Sequence, residues 1–137
     1  MLVKNKEVTM REVIEYVANL YKEKGMSGFY ADESWSLYSA DYEIGLDTIC
    51  VIEDPVDIDD DDNEILPESI VERNMVFIWS DELLQDTISS AIDQKADASP
   101  ELILEAINYY DVNDDFMTIK YQKEISVFFT KGGVEWI

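Results

Sequence analysis

The chain has 137 residues, 47% hydrophobic and 12% aromatic, enough to bury one core, short for two, and too apolar for a disordered chain. Ten basic against 31 acidic residues leave a net charge of −21 with no histidine. That balance makes nucleic acid and anionic membrane poor partners and a basic protein a good one.

Thr9-Met-Arg-Glu12 reads as a capping box, with Val13, Ile14, Val17, Leu20 and Tyr21 following at helical spacing and Gly25 as a stop. A first helix is expected over about 9–24. Residues 25–45 hold three glycines and five aromatics without a clear period, and read as loop with short irregular pieces. The run Ile49-Cys-Val-Ile52 is short and β-branched, bounded by acids, and reads as a buried strand. Pro55 ends it, and an acidic loop runs to Pro67. Residues 74–80, NMVFIWS, suggest a second strand. Ser80 then caps a helix with Leu84, Ile88, Ala91 and Ile92 on one side. Ser99-Pro100-Glu101 opens another, with Leu102, Ile103, Ala106, Ile107 and Tyr110 as its stripe. The short link predicts a helical pair. FMTIKYQ and ISVFFTK in the tail read as strands. The expected fold is α+β, a small sheet with about three helices on one face. It forms a single domain over 1–137, with 117–137 set apart as a variable strand segment.

No apolar run approaches the ~18 residues of a membrane span, and MLVKNKEVTM has no apolar signal-peptide core. One cysteine, Cys50, excludes an internal disulfide and fits a reducing compartment, so a cytoplasmic location is expected. Without histidine there is no Ser-His-Asp or Cys-His arrangement, and the commonest general base is missing. Cys50 reads as a core thiol, and no glycine run fits a phosphate loop. No catalytic residue, metal or cofactor is expected.

The acids are unevenly placed. Residues 25–72 carry fifteen acids and no base, and Glu53–Ile65, EDPVDIDDDDNEI, holds eight acids in thirteen. Counted from Asp57, the loop partly fits an EF-hand: Asp57, Asp59, Asp61, Asn63 and Glu68 stand at positions 1, 3, 5, 7 and 12. However, Asp62 occupies the turn position that wants glycine, and Pro55 and Pro67 stand where helices should grip the loop. A charge run is most often a solvated face. Here the acids are interleaved with Trp35, Tyr38 and Tyr42, residue types that anchor interfaces, although each taken alone reads more readily as core. The charge map therefore nominates Asp57, Asp59, Asp60, Asp61, Asp62 and Glu64 to capture a basic protein, and Trp35, Tyr38 and Tyr42 to hold it.

Two stretches, Asp47–Asp62 running from a short strand into the Asp-rich loop, and Ser99–Phe116, together resemble small acidic bacterial proteins. That group includes immunity proteins of contact-dependent growth inhibition systems. The resemblance covers about residues 32–116 and implies a cytoplasmic, non-enzymatic protein that binds and blocks a cognate toxin. Such toxins are often nucleases cutting transfer RNA, with basic active faces. The rival expectations are a nucleic-acid mimic that inhibits a DNA-binding enzyme and, more remotely, a calcium-binding module.

Overall fold

The computed structural model describes residues 2–30 and 33–119. In chain order the elements are β1 (Glu7–Thr9), α1 (Met10–Lys24), a 3-10 segment (Gly25–Tyr30), β2 (Ser36–Ser39), β3 (Ile49–Glu53), β4 (Asp57–Ile58), β5 (Glu64–Ile65), α2 (Glu68–Glu72), β6 (Val76–Ser80), α3 (Asp81–Gln94) and α4 (Pro100–Asn113). The fold is α+β. Four antiparallel strands form one sheet in the order β1-β3-β2-β6, and β4 and β5 form a separate hairpin.

Local chemistry sets the helix ends. The Thr9 hydroxyl accepts from the Glu12 amide at 3.2 Å, and the Glu12 carboxylate accepts from the Thr9 amide at 3.4 Å. Both halves of the capping box are thus made. The next free donors of α1, the amides of Met10 and Arg11, reach the carbonyls of Thr48 and Leu46 at 3.0 Å each. The β2–β3 loop therefore completes the helix start. Gly25 ends α1 at φ +63. Ser80 and Ser99 cap α3 and α4 through the amides of Leu83 and Leu102.

The two faces of the sheet have different covers. Leu37, Cys50, Ile52 and Trp79 point into the main core with Met10, Val13, Ile14 and Val17 of α1, Leu84 and Ile88 of α3, and Ile103 and Ile107 of α4. Burying each such side chain contributes about 1.5–3 kcal/mol. On the opposite face Tyr38 and Val51 pack with Ile70 and Met75 and with the partly buried Val56 and Leu66. A second, smaller core thus lies under α2 and the roots of the hairpin.

Several expectations are corrected. Residues 25–45 are not loop throughout: they contain β2, a central strand, whose four residues are all buried. The acidic stretch is a hairpin and not an open loop. Ile49, expected buried, stands 45% exposed at the start of β3. A short helix, α2, covers the second face of the sheet. Residues 116–118, the start of one tail strand, are irregular, and positions 120–137, which hold the rest of that strand and all of ISVFFTK, lie outside the described residues.

Candidate functional site

Pro55 and Pro67 bracket the segment that carries the densest charge. Between them β4 and β5 pair Asp57 with Ile65 and Ile58 with Glu64. The reversal is built from aspartates. The Asp62 amide donates to the Asp59 carbonyl at 3.1 Å, and the Asp59 amide donates to the Asn63 carbonyl at 3.0 Å. Asp62 takes the left-handed backbone at φ +62, the residue that closes a three-residue hairpin loop. One oxygen of the Asp59 carboxylate accepts from the amides of Asp61 and Asn63, both at 2.9 Å. Those donors, Asn63 first, hold its carboxyl below the usual carboxylate range.

Asp59 is therefore partly occupied with its own turn. Asp57, Asp60, Asp61, Asp62 and Glu64 are exposed. Among the described residues the ion pairs lie elsewhere: Lys4 with Glu33 and Asp54, Arg11 with Glu101, Arg73 with Glu7, Lys95 with Asp97. No ion pair there includes a hairpin carboxylate. Their field is thus left uncompensated by these described bases.

The three nominated aromatics separate. Trp35 and Tyr38 are core and are withdrawn as anchors. Trp35 is 5% exposed; its amide donates to the Asp81 carboxylate at 3.2 Å and its carbonyl accepts from the Asp81 amide at 3.1 Å. Tyr38 is fully buried, its hydroxyl donating to the Asp54 carbonyl at 2.6 Å and its ring edge-on to Phe77 at 6.2 Å. Either ring could meet a partner only by opening the fold. Tyr42, at 70% exposure between Asp41 and Glu43, stays available. The sequence reading missed the other exposed apolar groups of this region: Ile58, Ile65 and Val71. Their signal was present as isoleucines set among aspartates in Asp57-Ile58 and Glu64-Ile65.

Cys50 is buried, its thiol pushed up to about 12 by loss of solvent and directed at the Thr48 carbonyl at 3.7 Å, the opposite of an activated nucleophile. Among the described residues no three Cys, Asp or Glu side chains converge on a point that would hold a metal ion. The partial EF-hand pattern is divided, with Asp57 in β4, Asp59 to Asn63 in the turn and Glu68 in α2.

Residues 8–119 match DUF7716, a domain of unknown function. The chain belongs to that family. The matched span of this DUF7716 domain runs from within β1 and takes in β2 to β6, the acidic hairpin among them, and α1 to α4. Comparison with curated proteins and with solved structures gives no match. Among the described residues no helix is long and apolar enough to cross a membrane.

Proposed function

We propose that this DUF7716 domain is a cytoplasmic immunity protein that binds and neutralises a cognate basic toxin domain, a nuclease acting on RNA. One observation carries the reading: six carboxylates stand on a defined hairpin, Asp57 to Glu64, without an ion pair to any described base. Concentrated like charge is costly to a fold, and a cationic surface relieves it. A nuclease must hold phosphates and so presents such a surface. Opposed fields steer association to about 10⁸–10⁹ M⁻¹s⁻¹ at low salt, which matters when a toxin is already inside the cell. Residence needs desolvated apolar contact as well, for which Ile58, Ile65 and Val71 are the exposed groups on the hairpin and α2, while Tyr42 stands on the β2–β3 loop at the other end of β3. The resemblance to immunity proteins of contact-dependent growth inhibition systems supports the same reading. A nucleic-acid mimic would need carboxylates spaced along one extended face, whereas here they crowd one hairpin.

The test is co-expression with a basic nuclease domain encoded beside this chain's gene. Growth should be rescued, and replacing Asp57, Asp59, Asp60, Asp61 and Asp62 together by Asn should slow association about ten- to a hundredfold at low salt and flatten its salt dependence. Asn at position 59 keeps the acceptor oxygen for the turn, so the variant alters charge more than shape. Association that is unchanged in rate and salt dependence would end the reading.

A further inference from the structure

Among the described residues the sheet order leaves β6 as an outer strand. Its sequence, Val76-Phe-Ile-Trp-Ser80, contains no charge and no proline, two of the guards of an exposed edge; a register shift against β2 at Ile78 is the irregularity it does carry. Beside it opens a cleft of about 230 Å³ lined chiefly by Phe77, Ile78, Trp79 and Tyr110. The wall is firm: Trp79 and Tyr110 lie with ring centres 5.8 Å apart, and Tyr110 and Phe116 5.2 Å. Asp111 and Asp114 also line the cleft, and among the described residues no base does. Asp114 ends α4 in the left-handed backbone at φ +54, its amide bonded to the Tyr110 carbonyl at 2.8 Å, and this fixes where these charges lie.

An edge strand offers alternate amide and carbonyl groups to an added strand. The charge decides which strand. A second copy of this chain, itself at −21, would bring aspartate against aspartate. We propose that β6 and its cleft form a second protein-binding site, taking an extended segment with alternating apolar and lysine or arginine side chains. Backbone pairing to β6 supplies the register, and alternation sends the two kinds of side chain to opposite faces: the apolar ones against Phe77, which packs on Tyr38, and the bases toward α4, where Asp111 and Asp114 line the cleft. This site is separate from the acidic hairpin and stands whether or not the partner is a nuclease.

The probe is a blocked octapeptide of alternating lysine and valine, titrated into the full chain and compared with the same peptide N-methylated at every second residue. Hydrogen exchange should slow at β6 amides with the first peptide and not with the second, because methylation removes one edge of donors and leaves the charge. Asp111→Lys with Asp114→Asn should weaken binding about tenfold, which is about 1.4 kcal/mol for the two surface charge contacts together. The same protection should persist in the chain whose hairpin aspartates are Asn, which separates this site from the function proposed above. Equal protection by both peptides overturns the proposal, as does protection confined to residues 57–65. Slow exchange of all β6 amides in the free chain also overturns it, with sedimentation then telling a self-covered edge from a dimer.

Discussion

At the scale of single residues, two neighbours in the sheet link burial to pH. Cys50 and Tyr38 lie on adjacent strands and point to opposite faces, and burial pushes both up to about 12, the phenol aided by the charges of Glu53 and Asp54. In the unfolded chain they titrate near their ordinary 9.0 and 10.0. Between those values and about 12 the unfolded state gives up protons that the folded state keeps. Stability is therefore full below the ordinary values and falls as pH climbs toward about 12. Urea midpoints measured across that interval should fall steadily, and the Cys50 thiol should react with a maleimide only as fast as the protein unfolds. Tyr38→Phe should flatten part of that fall. It should also cost about 1 kcal/mol at neutral pH, since the Asp54 carbonyl loses its 2.6 Å donor. A midpoint that is level from neutrality through the interval would show that neither group is sequestered.

At the scale of elements, legibility followed the chemistry that each element displays along the chain. α1, α3 and α4 announce themselves through the Thr9, Ser80 and Ser99 caps and through apolar spacing, and β3 and β6 through β-branched runs. β2 does not. It sits between β3 and β6 with both faces covered, so Ser36-Leu-Tyr-Ser39 shows no alternation, and its serines are buried as fully as its leucine. Composition likewise cannot tell Tyr38 from Tyr42; only the pleat decides that one ring packs inward while the other sits in a loop. The acidic hairpin was hidden because its reversal uses Asp62 where a glycine would have advertised the turn. That choice makes a test. Asp62→Gly suits φ +62 and should keep the hairpin while removing one charge. Asp59→Ala removes the acceptor of two amides and should speed exchange at Asp61 and Asn63 about tenfold, with the helices unaffected. The ionised Asp59 holds the turn above the ordinary carboxyl value of 3.8, and the hold is lost as pH falls through its lowered value. Equal exchange in both variants would mean that the carboxylate does not shape the loop.

For the molecule as a whole, charge sets how stability responds to salt. The described ion pairs are exposed on at least their acidic side, and such pairs contribute about 0–1 kcal/mol each. Against them stands a net charge of −21, most of it in the block that contains β2, β3, the hairpin and α2. Added salt screens both terms, shortening the reach of a charge from about 30 Å at ~0.01 M to about 3 Å at ~1 M. Repulsion extends over the whole acidic block and attraction over a few close contacts, so screening removes more repulsion than attraction. The melting temperature should therefore rise with sodium chloride over that range, by about 3–4 °C for each ~1 kcal/mol of repulsion relieved. The variant with Asn at positions 57 and 59–62 should start higher and rise less, because its most crowded charges are gone. A melting temperature that falls with salt would mean that attraction dominates, and that the hairpin carboxylates already have cationic partners within the chain. If the rise is as expected, the wild-type hairpin carries charge that weakens its own fold, a cost consistent with retention for binding.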